Sequence, residues 1–314
     1  MQWDDRIGSR IKLRDLHIAL AVAQSGSMLK AAEALAISQP VVSRVIADLE
    51  QALGVRLFDR SRKGVEPTAS GRALLNRGRA AFDELKQGVT EIEFLNDPTA
   101  GELRIGTSQS LSEGIVFAVL DRLSRQYPRL VIQVVVGGTL ALFDELRERR
   151  IDLGFARMFG RVPPEDVDQE VLFEDPLVVI AGGESPWARR RKINLAELVN
   201  EPWTWSSPGT MFDSLVIDAF RANGLRPPRA TIYADDHNMK IKLATTGRFL
   251  AVVPASVLRF STTRGSIKML PVELPTTHRP SGIITLKNRT LSPPAQLFIK
   301  CAREVAKPLA KRVS

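Results

Sequence analysis

At Asn96-Asp97-Pro98-Thr99-Ala100-Gly101 the apolar pattern of the chain changes its period. Pro, Gly, Asn and Asp together mark a turn-rich break. Before it, apolar residues recur at helical spacing; after it, short apolar runs alternate with helical stretches. The first part therefore reads as a mainly helical module and the second as an α/β domain with largely parallel sheets. Strands are expected at 103–105, 130–136, 151–156, 176–181, 231–234, 249–254 and 282–286. Helices are expected at 112–125, 139–149, 210–222, 237–246 and 293–309. The roughly 210 residues after the break are enough for two lobes.

Charge narrows the partners. Lys and Arg number 44 against 35 Asp and Glu, a net charge of +9. Such a balance favours nucleic acid, an anionic surface or an anionic ligand. The densest basic stretch is Arg56, Arg60, Arg62, Lys63, Arg72, Arg77 and Arg79, set against Asp59 and Glu66. The single cysteine, Cys301, excludes an intramolecular disulfide framework and a CxxC metal cluster. The start, Met1-Gln2-Trp3-Asp4-Asp5-Arg6, lacks the basic-then-apolar order of a signal peptide, and no run of 18 apolar residues occurs. A cytoplasmic protein with no membrane partner is expected.

Within the first module, residues 28–35 and 39–53 form two short helices around Ala36-Ile37-Ser38. Ser38 is expected to cap the second, and Pro40 fits its first turn, where the missing N–H costs little. Six positions fit a helix-turn-helix. Ala32 is small where the helices cross, Leu35 is apolar, Ala36 is small in the turn, Ile37 plugs it, and Val42 and Val45 are buried. The remaining face, Gln39, Ser43, Arg44 and Ala47, is short and polar enough to enter a major groove. Gln pairs with adenine and Arg with guanine or phosphate. An ordinary helical hairpin with a solvated face has the same spacing. The following segments, 55–58 and 64–66, read as two strands joined by the basic loop 59–63, a wing that would set Arg60, Arg62 and Lys63 against phosphates.

The stretch Ala21-Val22-Ala23, Gly26-Ser27, Ala31-Ala32, Leu35, Ile37-Ser38-Gln39-Pro40, Val42-Ser43, Ile46, Leu49-Glu50, Leu53-Gly54, Leu57-Phe58, Arg60 and Thr68-Ala69-Ser70-Gly71 resembles the N-terminal signature of LysR-type transcriptional regulators. The rest of the chain is similar in length and order of elements. The sequence departs from the family pattern at Ala19, often Phe there, and at Leu29, often Thr or Ser, which removes one hydroxyl from the DNA backbone contacts. The resemblance implies a winged helix-turn-helix (1–67), a linker and dimerisation helix (68–98) and a two-lobed, periplasmic-binding-protein-like sensor (99–314). It assigns Gln39, Pro40, Ser43 and Arg44 to the recognition helix and Arg62 and Lys63 to the wing. It implies double-stranded DNA with a palindromic operator, RNA polymerase and further copies of the chain as partners, assembled as dimers of dimers.

Thr68 is placed to cap a helix reaching Leu95. Its residues Phe82, Leu85, Val89 and Ile92 step by three, four and three, the spacing of a coiled-coil seam. They mark either a dimer contact or the packed face of a single amphipathic helix. A two-fold dimer would present two recognition helices to a palindrome.

Open α/β sheets bind ligands at strand C-termini, where helix N-termini direct N–H groups inward. Four such turns here are rich in hydroxyls or amides: 107–110, 137–139, 206–210 and 236–238, and Arg157 follows the strand 151–156. These residues suit a small anion, and each also serves as an ordinary helix cap. By resemblance, Ser110, Thr139, Arg157, Ser207 and Asn238 line the effector site, with a small-molecule effector expected and no cofactor. Trp203, Trp205, Met211 and Phe212 either wall that pocket or pack in the core. No phosphate-binding loop, dinucleotide fingerprint or H-E-x-x-H pair occurs, and His17, His237 and His278 lack metal-ligand spacing. A hydrolase with a DNA-binding appendage and a solute-binding protein are the competing classes. Turnover of a bound acid would mark the first; the N-terminal module and missing signal peptide oppose the second.

Overall fold

The computed structural model describes residues 11–61, 64–158, 163–260 and 265–310. The chain forms two compact units, Met1–Val89 and Thr90–Ser314, which divide inside one long helix.

In the first unit, α1 (Leu13–Ser25), α2 (Met28–Ala34) and α3 (Gln39–Leu53) bury Ile18, Val22, Ala31, Ala32, Val42, Ile46 and Leu49 in one core. Gly26 ends α1 with φ 62°, and the Ser27 hydroxyl accepts the Lys30 N–H at the start of α2. The turn before α3 places Ala36 at φ 53°, a left-handed conformation that tolerates only a small side chain at low cost. Pro40 lies in the first turn of α3, as expected, whereas Ser38 stands at the N-cap without a side-chain bond.

The wing is β1 (Phe58–Ser61) and β2 (Gly64–Pro67), antiparallel, with Asp59 opposite Glu66 and Arg60 opposite Val65. The first strand therefore begins three residues later than the apolar run 55–58 suggested. Glu50 is the reason: its carboxylate accepts the Leu57 and Phe58 N–H groups at 2.7 and 3.2 Å and ties that run to α3. Thr68 accepts the Gly71 N–H at 3.0 Å at the head of α4 (Ala69–Asn96). Gly71 passes so close to Leu57 that a Cβ would lie 2.0 Å from its carbonyl oxygen.

The second unit has two lobes. In lobe 1, a five-stranded sheet has the order β4-β3-β5-β12-β6, built from β3 (Ala100–Thr107), β4 (Arg129–Val136), β5 (Leu153–Arg157), β6 (Val167–Glu174) and β12 (Pro280–Leu286). After β3, α5 (Gln109–Leu111) runs through a π-helical turn at Ser112–Val116 into α6 (Phe117–Gln126), and α7 (Thr139–Arg147) follows β4. In lobe 2, the order is β11-β7-β10-β8-β9, from β7 (Leu177–Gly182), β8 (Trp203–Trp205), β9 (Ala230–Tyr233), β10 (Leu250–Pro254) and β11 (Ile267–Met269). Its helices are α8 (Met211–Ala222), α9 (His237–Thr245) and α10 (Ala255–Phe260), and α11 (Pro293–Ala310) returns to the lobe 1 core.

The sheets are mixed rather than largely parallel. β3 pairs in parallel with β4 and β5, and β8 with β9 and β10, but β12 and β7 run antiparallel to both of their neighbours. The cause is a double crossing. The chain leaves lobe 1 after β6, builds lobe 2, and returns as β12, so each sheet receives a strand from the other side. The crossings bond to each other: Asp175 N–H reaches the Arg279 carbonyl at 2.9 Å, and Leu177 N–H the buried Thr277 hydroxyl at 3.3 Å. Trp203 and Trp205 are core residues, stacked edge-on with centroids 5.8 Å apart and against Phe220.

Candidate DNA interface and effector cleft

The sequence of α3 divides cleanly between core and solvent. Val42, Ile46 and Leu49 are buried, while Gln39, Pro40 and Arg44 are exposed and Ser43 half-exposed. Gln39 Nε2 donates to Ser43 Oγ at 2.8 Å, which holds both side chains on the outer face. Arg44 has no hydrogen-bond or ion-pair partner among the described residues, so its guanidinium is free for a base edge or phosphate. Arg62 and Lys63 lie outside the described residues.

On α4, Leu85, Val89 and Ile92 are 53, 56 and 61 % exposed, while the polar Asp83 and Gln87 are buried. That is inverted amphipathicity for a helix lying on its own domain. Phe82 differs from the other three: it is half-buried, edge-on to His17 of α1 with centroids 5.8 Å apart.

In the sensor, the five expected effector residues all stand at or beyond C-terminal strand ends. Ser110 (after β3), Thr139 (after β4) and Arg157 (end of β5) belong to lobe 1; Ser207 (after β8) and Asn238 (after β9) belong to lobe 2. The lobes meet there, since Gln109 Nε2 of lobe 1 donates to Asp236 Oδ2 of lobe 2 at 2.6 Å. Several of these side chains already have partners. Thr139 Oγ1 donates to the Arg157 carbonyl at 3.0 Å, and Ser207 donates through N–H and Oγ to Asp235 at 2.8 and 2.7 Å. Those bonds hold the Asp235 carboxyl below its ordinary range. Asn238 is exposed on the first turn of α9, and Ser110 is buried.

Arg157 departs most from expectation. It is 1 % exposed and forms a buried ion pair with Asp175, whose carbonyl takes a second guanidinium N–H at 2.7 Å. Ser256 at the head of α10 also donates to that carboxylate, from N–H at 2.9 Å and from Oγ at 2.6 Å. The group thus links lobe 1, the crossing and lobe 2. Only Arg157 Nε is left without a partner, and the guanidinium carbon sits 5.6 Å from the Phe212 ring centroid.

Phe212, expected either to wall the pocket or to pack in the core, leads to a cluster whose Lys240 the sequence does not single out. His237 lies edge-on to it with centroids 5.2 Å apart. Burial, reinforced by Lys240 and Arg157, pushes the imidazole down to about 3, so it is neutral near pH 7, and its Nδ1 has no partner. Lys240, one turn along α9, is 2 % exposed and donates to Ser206 Oγ at 2.7 Å; burial lowers its ammonium to about 8. At the mouth, burial and then the charge of Asp236 raise the Glu113 carboxyl. The cluster gathers hydrogen-bond donors, one aromatic face and a neutral imidazole beside the contact between the lobes.

Comparison with known proteins agrees with this geometry. The family model described as LysR substrate binding domain matches residues 96–307, and that of the bacterial regulatory helix-turn-helix protein, lysR family, matches 13–72. The HTH-type transcriptional regulator GbpR of Azospirillum brasilense is 28 % identical over 305 residues, covering 97 % of this chain and 89 % of its own. The regulator CysL of Bacillus subtilis is 30 % identical over 254 residues, 81 % of this chain and 84 % of its own. A full-length OxyR variant from Pseudomonas aeruginosa superposes with a TM-score of 0.69 at 21 % identity, covering 97 % of this chain and 99 % of that one. Full-length CbnR complexed with its target DNA gives 0.54 at 24 % identity, over 94 and 100 % of the two chains. These two structures share the fold. From module, cleft and family match together, the chain belongs to the LysR family: it is a DNA-binding transcriptional regulator with an effector-binding domain, and not an enzyme.

Proposed function

We propose that this regulator binds a palindromic operator as a dimer, or as a pair of dimers, and that a small anion held between the lobes controls it. The observation that carries the DNA half is the outer face of α3, where Arg44 is exposed and unpartnered beside the bonded pair Gln39–Ser43. With Pro40 it forms the reading surface, and Arg62 and Lys63 supply phosphate contacts. Leu85, Val89 and Ile92 form the dimer seam, with Phe82 at its margin. In the sensor, Ser110, Thr139, Ser207 and Asn238 surround the effector, and Arg157 contributes through Nε while its ion pair with Asp175 sets the hinge. Effector binding changes lobe closure and, through it, the spacing of the DNA-binding pairs. That requires different affinities for the two quaternary states. The protein works in the cytoplasm and acts on RNA polymerase at its promoters.

The test separates base reading from phosphate contact. Arg44→Ala should weaken specific binding by roughly 1–3 kcal/mol with little change for random DNA. Lys63→Ala should weaken both and reduce the dependence of affinity on salt. Equal losses on operator and random DNA in both variants would refute the assignment of roles.

A further inference from the structure

Among the described residues of the second unit, three Lys and Arg side chains are buried: Arg157, Lys240 and Arg289. Two have carboxylates, Arg157 with Asp175 and Arg289 with Asp152 at 2.9 Å. Lys240 has none within ion-pair distance among the described residues; its one bond is to the neutral Ser206 hydroxyl at 2.7 Å. Asp235, the nearest acid in electrostatic effect, is bound to Ser207 instead. A buried ammonium without a counter-charge is costly, and such groups are paired when the protein is in its working state. The missing partner is therefore sought outside the chain, between the lobes, where Gln109 and Asp236 meet beside this cluster.

We infer that the effector is a monocarboxylate whose acid group is received by Lys240 and Ser206. This rests on the cleft being the effector site, as proposed above. The charge count favours a single negative charge: Arg157 is neutralised by Asp175 and His237 is neutral, so Lys240 alone lacks a carboxylate within ion-pair distance among the described residues, Asp235 acting on it only at longer range. A sulfate or doubly ionised phosphate would bring a second negative charge beside Asp235, Asp236 and Glu113. The donors match as well. Lys240 has three N–H bonds and uses one on Ser206; Ser206 accepts that bond and keeps its own hydrogen. Two ammonium donors and one hydroxyl suit the paired oxygens of a carboxylate. Phe212, between Arg157 and His237, offers an aromatic surface to the body of the acid. Arg157, the cation nearer to expectation, has both terminal nitrogens engaged by Asp175 and is a hinge residue first.

The experiment uses the full chain with sodium acetate, sodium benzoate and sodium sulfate as probes, each against sodium chloride at matched ionic strength. Tryptophan emission reports binding, because Trp205 adjoins Ser206, and the melting temperature reports it independently. Acetate or benzoate should titrate both signals and sulfate neither. In Lys240→Met, which keeps the apolar stem and removes the charge, carboxylate affinity should fall roughly 10–100-fold. The ligand-free variant should melt no lower than the wild type, since it no longer buries an unpaired charge. A lower melting temperature with carboxylate affinity intact would make Lys240 structural and overturn the inference. Sulfate binding in preference to carboxylates would overturn it while leaving an anionic effector in place. Should no anion bind at all, both readings fall. If Lys240→Met does not fold, Ser206→Ala decides: a several-fold loss of carboxylate affinity supports the inference, and no loss contradicts it.

Discussion

Arg157 and Lys240 are buried to nearly the same degree, yet they meet the cost of burial differently. Arg157 takes a carboxylate from its own chain, Lys240 only a hydroxyl. Removing the Arg157 counter-charge should be severe. Asp175→Asn leaves the guanidinium buried and unpaired and should lower stability by roughly 3–5 kcal/mol, measured by denaturant unfolding of the sensor transition. Protonation gives a second residue-scale prediction. His237 is held at about 3 against an ordinary value of 6.5, first by burial and then by Lys240 and Arg157, with Asp236 and Asp235 opposing. Between those values the unfolded chain takes up a proton that the folded cluster refuses. The stability associated with neutral His237 is present above pH 6.5 and is lost as pH falls toward 3, at up to about 1.4 kcal/mol per unit. Unfolding free energies measured from pH 7 to 4 should fall less steeply in His237→Gln than in the wild type; parallel curves would contradict this. The sequence offered Arg157 as an effector residue but could show neither its ion pair nor the Lys240 bond, because their partners lie 18 and 34 positions away. Lys240 in particular reads as one more polar residue on an amphipathic helix.

Among the elements, α4 carries the clearest inversion. A helix that serves only its own domain turns apolar residues inward, but here Asp83 and Gln87 are inside while Leu85, Val89 and Ile92 are outside. That face is the size and spacing of a seam with a second helix. The double substitution Leu85→Asp and Val89→Asp should shift the protein toward monomer in sedimentation velocity while leaving its helical circular dichroism largely intact. Retention of the wild-type oligomer would remove α4 from the interface. The helix-turn-helix and α4 were legible in the sequence because their signals are local: caps, a proline in a first turn, and apolar steps of three and four. β6 was not, since Val167–Glu174 alternates acids with scattered apolar residues and takes its place by pairing with β12 more than 100 positions later. The mixed sheets were hidden for the same reason: nothing in the local pattern of β12 or β7 states which lobe receives it.

For the whole molecule, the resemblance to an OxyR variant extends to the fold only. With one cysteine, Cys301, buried in the lobe 1 core and its thiol pushed up by burial, this chain has no pair to form an intramolecular disulfide. Its two lobes meet through the bond from Gln109 to Asp236. The central claim is that α3 reads a defined DNA sequence. The most direct test is a footprint of the purified protein on fragments of its source genome at about 150 mM salt, a concentration that suppresses purely electrostatic binding. The account predicts discrete protected sites with two-fold symmetry in the wild type and their loss in Arg44→Ala. Diffuse protection that disappears with salt, identical for both proteins, would contradict it.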